Sequence, residues 1–224
     1  GNRFVQIYGQ GESPMTITVL PRDLVSDTSH ANWRSRRNSV GLAQAGVSVR
    51  VVDAQFRDCP HGETGEIVVS GDTVMKGYWR NPEATRETLV DGWLHTGDLG
   101  CLDADGFLTL TDRAKDVIIS GGTNIYPREV EEVLLLHESV AEVAVVGAPD
   151  PEWGEAVVAF VVLKGGAGGD PQGLETWCRS QMASFKKPKR YVFISELPKN
   201  NYGKVVKTTL REIAAQDASP GSQG

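Results

Sequence analysis

The hydrophobic pattern of the chain changes at one place, and this change constrains the fold more than any other feature of the sequence. Between Gly41 and Leu110, apolar residues alternate with polar ones or form short runs, and Gly, Asp or Pro interrupts them about every ten residues. After Asp112, strand-like runs alternate with stretches in which apolar residues recur at helical spacing. The pattern predicts a mixed α/β and α+β chain: a strand-rich part over residues 1–111, with a small β-barrel-like subdomain, and a compact α+β domain over residues 112–224.

The second part carries clear local signals for its helices and strands. Pro127 and Glu129 mark the amino terminus of a helix, and Val130, Val133 and Leu134 follow at helical spacing. The other predicted elements are strands at Val140–Val146, Ala156–Leu163 and Tyr191–Ile194 and helices around Leu174–Met182 and over Val206–Ala215. The stretch Gly165–Gly169 is predicted to be a surface turn, because no Lys-Ser/Thr pair follows it as in a phosphate loop.

The composition excludes several classes of partner. The net charge of -6 gives no basic field for nucleic acid, and no apolar run approaches the roughly 20 residues that span a bilayer. The cysteines Cys59, Cys101 and Cys178 are odd in number and widely spaced, which indicates neither a disulfide framework nor a zinc site. These features favour small-molecule partners and a cytoplasmic location.

Two segments of the first part are informative about turns and boundaries. The chain begins without Met and enters a strand-like run at Phe4–Tyr8, so we expect it to be a piece of a longer protein. Asp103–Gly106 precedes an apolar run and is predicted to be a hairpin turn, because the later ligands of a calcium loop are absent.

Four segments are richer in Gly, Asp, Lys and Arg than packing alone requires. In the first, Tyr8–Glu12, glycines surround one carboxylate at the end of a predicted strand. Glycine lets a backbone approach a ligand closely, and a single Glu can hold Mg²⁺ against phosphates because Mg²⁺ keeps most of its waters. A strand that ends in a glycine turn beside a solvated Glu explains the segment equally well.

The second segment, Asp91–Gly100, presents Asp98 between two glycines. A carboxylate in that position can accept hydrogen bonds from both hydroxyls of a ribose. An ordinary turn aspartate is the alternative interpretation.

The third and fourth segments are Thr111–Pro127 and Pro198–Lys207. In the third, four charged residues precede an apolar strand and the Gly121-Gly122 turn, although charges at a domain boundary are usually a solvated linker. In the fourth, Lys204 follows a glycine ahead of a predicted helix. A lysine ammonium is a mobile point charge that suits an anion developing on a phosphate or carboxylate, but most surface lysines have no such role.

In this order, the four segments resemble the adenylate-forming superfamily of acyl-CoA synthetases, aryl-CoA ligases, peptide-synthetase adenylation domains and luciferases. The resemblance extends from Tyr8 to Arg211 and includes Gly62–Ile67 and Gly77–Trp79. It implies that residues 1–111 end a large adenylate-binding domain and that residues 112–224 form its mobile lid. It also implies that the missing amino-terminal portion of the enzyme carries the phosphate loop and most of the acyl pocket, so we expect the chain alone to be inactive.

The resemblance implies a role for single residues at the nucleotide. The roles are Mg²⁺ binding by Glu12, contact with adenine and the adenylate by Tyr8 and Gly9, ribose binding by Asp98 and Arg113, the hinge of the lid at Lys115, and contact with the carboxylate and α-phosphate by Lys204. The implied activity is ATP-dependent ligation of a carboxylic acid to CoA through an acyl-adenylate, with Mg²⁺, as in fatty acid metabolism.

A second group of residues resembles segments that contact CoA. After the lid rotates, Gly121 and Gly122 are implied to line the tunnel of the thiol. Trp153, Lys187 and Lys189 resemble residues at the CoA nucleotide, where an aromatic face can stack and lysines can meet phosphates. A solvated face with incidental charge is the alternative for the lysines.

The chain departs from the superfamily pattern at Gly11. A Thr usually stands there, with its hydroxyl near the adenylate phosphate. Gly11 has no hydroxyl, so we expect the loss of one hydrogen bond of about 1 kcal/mol. We expect altered efficiency rather than lost function.

Three other functions make different predictions for these residues. A ligase that loads a carrier protein would use free CoA poorly, and a non-catalytic interaction module would be expected to lose some of Glu12, Asp98, Arg113 and Lys204, which are all present. Luciferase-like oxidation is disfavoured, because the tail Ser219–Gly224 has no peroxisomal Ser-Lys-Leu and no residue indicates oxygen chemistry.

Overall fold

The computed structural model describes residues 3–166 and 168–216. The chain divides into two compact units, of which the first ends at Ala114 and the second begins at Lys115. The hydrophobic pattern changes at Asp112, near the end of the last strand of the first unit.

The first unit is built mainly of antiparallel strands. Its strands are β1 Gln6–Gln10, β2 Ser13–Leu20, β3 Leu42–Ala43, β4 Val47–Val52, β5 Gly65–Gly71, β6 Leu89–Val90, β7 Trp93–Leu102 and β8 Leu108–Arg113. Its helices are α1 Arg22–Ser26, α2 Trp33–Asn38 and α3 Pro82–Thr88. One sheet has the order β1-β2-β3, and a second has the order β4-β5-β7-β6 with β8 also paired to β7. The strands include a half-barrel-like curled sheet.

Strand β7 is central to the first unit because it pairs with β5, β6 and β8. Successive side chains of a strand point to opposite faces, and in β7 the buried positions are the alternate residues Leu94, Thr96, Asp98 and Gly100. The same period that buries Leu94 in the apolar core therefore also buries a carboxylate, which must find partners inside the protein.

The second unit is a sheet covered by helices on both faces. Its strands are β9 Ile118–Ser120, β10 Thr123–Ile125, β11 Val140–Asp150, β12 Gly154–Leu163 and β13 Arg190–Phe193, and its helices are α4 Pro127–Leu135, α5 Pro171–Gln181 and α6 Lys207–Gln216. The sheet has the order β10-β9-β12-β11, with β13 parallel to β12. Leu134 and Leu174 pack with one face of the sheet, whereas Leu210 packs with the other, so α4 and α5 lie opposite α6.

The predicted fold class is confirmed, and most predicted elements are present within a few residues of their expected ends. The first strand begins at Gln6 rather than Phe4, and β11 and β12 extend toward each other to Asp150 and Gly154. Asp103–Gly106 forms the expected turn between β7 and β8. Of the predicted glycine-rich turn, Ala167 lies outside the described residues, as does the tail Ser219–Gly224. Among the described residues, no helix is long and apolar enough to cross a bilayer.

Candidate functional site

The buried carboxylate of Asp98 is the centre of a polar cluster in the first unit. The hydroxyl of Tyr8 donates to Asp98 Oδ2 over 2.7 Å, and Nε2 of Gln10 donates to the same oxygen over 2.6 Å. The guanidinium of Arg113 pairs with Oδ1, with an Nε to Oδ1 distance of 2.6 Å. Three predicted site residues, Tyr8, Asp98 and Arg113, are therefore in direct contact.

Backbone pairing brings these side chains together. Arg113 ends β8 directly opposite Asp98 of β7 in the antiparallel ladder. Thr96 fixes the strand beside them, because its Oγ1 donates to the carbonyl of Ile67 and accepts from the Asp98 N–H. Asp98 is 7% exposed, whereas the Arg113 side chain is half exposed, so the cluster has a buried anion and a cation at the surface.

Tyr8 is held as a neutral donor. Its burial, followed by its hydrogen bond to Asp98 and the negative charge of that carboxylate, raises the pKa of Tyr8 well above its ordinary value. A phenol in this environment keeps its proton at any physiological pH.

Gly9 has a steric reason to be glycine. A Cβ on Gly9 would lie 2.3 Å from the backbone nitrogen of Met15, at a register shift between β1 and β2. Gly11 lies in the turn between these strands, and a Cβ there would meet nothing within 4 Å. The backbone therefore requires Gly9, whereas it leaves room for the Thr that usually replaces Gly11 in the superfamily.

Glu12 lies in the same turn, at the start of β2, and its carboxylate is held by a distant loop. The hydroxyl of Tyr78 donates to Glu12 Oε1 over 2.7 Å. This hydrogen bond, followed by partial burial, raises the pKa of Tyr78. Oε2 of Glu12 accepts no hydrogen bond from the described part of the protein.

The surroundings of Glu12 fit a cation that brings most of its own ligands. Residues 3–166 and 168–216 contain no group of three or more acidic, His or Cys side chains that could hold a metal ion. Mg²⁺ commonly binds through one or two carboxylates together with substrate phosphates and water. A single carboxylate with one available oxygen suits that ion and does not suit a metal that needs a cage of protein ligands.

In the second unit, three of the residues expected at CoA are in contact. The ring of Trp153 lies against Gly121, where an added Cβ would be 2.6 Å from Trp153 Cε3, and the Gly121 N–H donates to the Trp153 carbonyl over 2.8 Å. Lys189 Nζ lies 4.7 Å from the centroid of the indole ring and 3.5 Å from an oxygen of Asp150. Gly121 and Gly122 both have positive φ, and Gly122 has open space around it. The unit thus presents a half-exposed indole with a cation on its face.

Two other lysines of this region, Lys186 and Lys187, pair with carboxylates away from Trp153. Lys187 Nζ lies 2.9 Å from Glu175 Oε1, and its side chain is 18% exposed. Lys186 binds both oxygens of Glu129. The structure therefore pairs Lys187 with α5 and does not bring it to Trp153.

Lys204 lies in a short loop that is held by hydrogen bonds to Asn200. The side-chain oxygen of Asn200 accepts the N–H groups of Tyr202 and Lys204, and the Asn200 N–H donates to the Lys204 carbonyl. Lys204 is exposed, and no carboxylate of the described residues lies within salt-bridge distance of its ammonium. The loop fixes the backbone and leaves the charge available to a ligand.

Lys115 lies in a single 3₁₀ turn at the start of the second unit. Its carbonyl accepts from Arg211 Nη2 over 3.3 Å, and the same guanidinium binds Asp116 Oδ1 over 2.6 Å. The backbone at the predicted hinge is thus bonded to α6.

Sequence reasoning missed Gln10, Thr96 and Tyr78 as site residues. Each lies inside one of the sequence motifs, so the motifs were the available signal. The hydrogen bonds that tyrosine and glutamine side chains donate to Asp98 and Glu12, however, join residues 66 to 90 positions apart. Asn200 was missed for another reason, because Asn in a glycine-containing loop is common and its organising role depends on the loop's geometry.

Two family profiles match the chain. The profile described as AMP-binding enzyme matches residues 1–79, and the profile described as AMP-binding enzyme C-terminal domain matches residues 129–204. Together the two ranges cover more than half of the chain.

Curated relatives match almost the whole chain. A fatty acid–[acyl-carrier-protein] ligase, ScoC of Streptomyces coeruleorubidus, is 44% identical over 93% of this chain and 39% of its own length. A long-chain-fatty-acid–CoA ligase of Bacillus subtilis is 43% identical over 95% of this chain and 36% of its own length. The chain therefore spans less than half the length of these relatives.

A solved structure supports the same relationship. ATP-bound MatB of Rhodopseudomonas palustris superimposes with a TM-score of 0.85 at 38% identity, over 96% of this chain and 41% of that protein. The chain belongs to the adenylate-forming superfamily of AMP-binding enzymes and is of the acyl-CoA synthetase type.

Proposed function

We propose that the protein containing this chain is an ATP-dependent carboxylic acid:CoA ligase that works through an acyl-adenylate. The observation that carries the proposal is the cluster at Asp98, where a buried carboxylate collects Tyr8 from β1 and Arg113 from β8. Burying a carboxylate costs free energy, so a buried Asp98 calls for an explanation. Because the chain belongs to a family of AMP-binding enzymes, we assign this carboxylate to the ribose of a nucleotide.

The reaction has two balanced steps. A carboxylate oxygen of the acid attacks the α-phosphorus of ATP, the bond to the β-phosphate oxygen breaks, and pyrophosphate leaves. The thiol of CoA then attacks the acyl carbon, AMP leaves with the bridging oxygen, and the thiol proton passes to solvent. No electrons are transferred, so the protein contributes positioning and charge stabilisation.

The number of free acceptor positions on the Asp98 carboxylate supports binding of one ribose hydroxyl. A carboxylate has about four acceptor sites, and Tyr8, Gln10 and Arg113 occupy three of them. One site remains on Oδ1, next to the half-exposed guanidinium of Arg113. One ribose hydroxyl can thus donate to Asp98, while Arg113 offers a donor to the other. Tyr8 and Gly9 keep the role that the family resemblance implies, which is contact with adenine and the adenylate.

Glu12 and Lys204 supply the charges for the phosphate step. Glu12 Oε2 is the oxygen available to Mg²⁺, which when bound would offset negative charge on the phosphates. The ammonium of Lys204, presented by the Asn200 loop, has the freedom to meet the carboxylate and α-phosphate.

The second unit is proposed as the mobile lid of residues 112–224, with its hinge at Lys115. Gly121 and Gly122 are assigned to the tunnel of the thiol, and Trp153 with Lys189 to the CoA nucleotide. The contact between the indole and the ammonium supports this, because it combines a stacking face with a phosphate-binding charge. Lys187 can contribute only if it leaves Glu175.

The experiment uses the full-length protein with ATP, Mg²⁺, CoA and a panel of fatty and aromatic acids. Mass spectrometry should detect AMP, pyrophosphate and the acyl-CoA of at least one acid. Release of ADP, or the absence of nucleotide turnover with every acid, would contradict the proposal.

A carrier-protein ligase is the second candidate, because one relative of 44% identity is named as a ligase of that kind. This function predicts AMP and bound acyl-adenylate without acyl-CoA, followed by acyl transfer when a carrier protein is added. A cytoplasmic location is proposed on the three free cysteines, which fit a reducing compartment.

A further inference from the structure

The loop that precedes α3 holds Glu12 at two points. The hydroxyl of Tyr78 donates to Glu12 Oε1 over 2.7 Å, and the N–H of Met75 donates to the Glu12 carbonyl over 2.8 Å. The loop therefore fixes both the backbone and the side chain of a residue that lies in a turn, where a free glutamate would sample several rotamers.

The position of Tyr78 is itself fixed by α3. The Tyr78 N–H donates to Thr85 Oγ1 over 2.9 Å, and that hydroxyl donates to the carbonyl of Asn81 over 2.8 Å. Gly77 packs so closely that an added Cβ would lie 2.8 Å from Thr85 Cγ2. Asn81 caps the helix by accepting the Ala84 N–H. A hydrogen-bonded path thus runs from the first turn of α3 to the carboxylate.

We propose that Tyr78 is a positioning residue for the divalent cation: its hydroxyl holds Glu12 Oε1, so that Oε2 is presented to the ion on ATP. The inference rests on the proposed function of Glu12. The hydrogen bond from Tyr78 restricts the Glu12 side chain to one rotamer before the ion binds. Binding of the ion then costs less conformational entropy, as for other partners that orient metal-binding carboxylates. The phenol also satisfies the oxygen that the ion does not use.

The test measures cation binding by the full-length protein. Mn²⁺ replaces Mg²⁺ because it binds the same oxygen ligands, and its free concentration can be followed by electron paramagnetic resonance in the presence of α,β-methylene-ATP. Tyr78→Phe keeps the ring and removes the donor, and it should raise the Mn²⁺ dissociation constant about tenfold. The matched control is Trp79→Phe, which changes an 87% exposed ring on the same loop and should leave the constant unchanged.

A kinetic split accompanies the binding measurement. For Tyr78→Phe the Mg²⁺ concentration at half-maximal AMP formation should rise by the same factor, while kcat at saturating Mg²⁺ stays within about twofold, since the ion can still reach Glu12. A loss of kcat that saturating Mg²⁺ does not restore would indicate structural damage and overturn the inference.

A second variant protects the test against misfolding of the first. Thr85→Val removes the hydroxyl that holds the Tyr78 N–H and should raise the Mn²⁺ dissociation constant in the same direction by a smaller factor. Wild-type Mn²⁺ affinity in both variants would overturn the positioning role. If Glu12→Gln also binds Mn²⁺ like the wild type, the proposed function of Glu12 fails, and the role of Tyr78 falls with it.

Discussion

Tyr8 and Asp98 are 90 residues apart in the sequence, and the Tyr8 hydroxyl donates a 2.7 Å hydrogen bond to Asp98 Oδ2. The bond joins the sheet of β1 to the sheet of β7, and both residues are 7% exposed. The Tyr8–Asp98 pair is therefore part of the core of the first unit rather than an addition to its surface.

The Tyr8→Phe variant should show that this bond stabilises the fold. Because the folded protein raises the pKa of Tyr8, the unfolded chain loses this proton above about pH 10 while the folded protein keeps it. The contribution is thus fully present below about pH 10 and decreases as the pH rises further. In urea unfolding, the wild type should lose stability with pH more steeply than Tyr8→Phe, by up to about 1.4 kcal/mol per pH unit.

The control for this prediction is Tyr202→Phe, which changes an 89% exposed tyrosine. Its pH dependence should match that of the wild type. Equal slopes in Tyr8→Phe and the wild type would contradict the role given to the buried hydrogen bond.

The Asp98→Asn variant should bind nucleotide poorly. An amide replaces one acceptor oxygen by a donor, which then faces Arg113 or the donors Tyr8 and Gln10. Calorimetry with the full-length protein should give an AMP dissociation constant at least about tenfold above the wild-type value, from loss of a hydrogen bond to a charged group. The control is Asp105→Asn, which changes an exposed partner of Arg36 and should leave the AMP dissociation constant unchanged. An unchanged AMP dissociation constant in Asp98→Asn would exclude Asp98 from the ribose site.

The sequence predicted elements whose signals are local. Pro127 and Glu129 start α4, and Val130 and Leu134 are buried, because capping signals and a helical stripe are both written within one short segment. The helices α1, α2 and α3 have no buried residues, so they lack the apolar stripe on which prediction depends. For α3, the pair Asn81-Pro82 was an available start signal, since Asn81 accepts the Ala84 N–H.

The Gly121→Ala variant should be less stable than Gly122→Ala. Both residues have positive φ, so both variants lose about 1 to 2 kcal/mol from backbone strain. Of the two, only the Cβ added at Gly121 would clash with the ring of Trp153, and this overpacking adds about 1 to 3 kcal/mol to the loss of stability. Urea unfolding measures the difference.

The double variant Gly121→Ala with Trp153→Ala checks the cause. Removing the indole should return the effect of Gly121→Ala to that of Gly122→Ala, as measured by a double-mutant cycle. Equal losses in the two single variants would show that the ring moves away freely.

The Lys204→Ala variant should separate the two steps of the reaction. Acyl-adenylate formation by the full-length protein should fall by about 10²- to 10³-fold, as for loss of one preorganised donor. Thioester formation from added acyl-adenylate should be retained, because the proposed function assigns Lys204 to the first step alone. Lys164→Ala, at another exposed lysine, is the control, and equal loss of both steps would contradict the assigned role.

The candidate site was only partly predictable from sequence. Glycine-rich motifs make Glu12 and Asp98 candidates, but the partners of Asp98 depend on how two sheets pack. The lysine cluster shows the converse. Lys186, Lys187 and Lys189 are neighbours in sequence, yet they pair with Glu129, Glu175 and Asp150 on different elements, because consecutive side chains of an irregular segment point in different directions.

The most direct test of the account follows one oxygen atom. The full-length protein is given ATP, Mg²⁺, CoA and an acid that it turns over, labelled with oxygen-18 in both carboxylate oxygens. Attack of the carboxylate on the α-phosphorus predicts that AMP carries one oxygen-18 and that the acyl-CoA keeps the other. Acyl-CoA formed together with unlabelled AMP would contradict an acyl-adenylate, and with it the roles proposed for Asp98, Glu12 and Lys204.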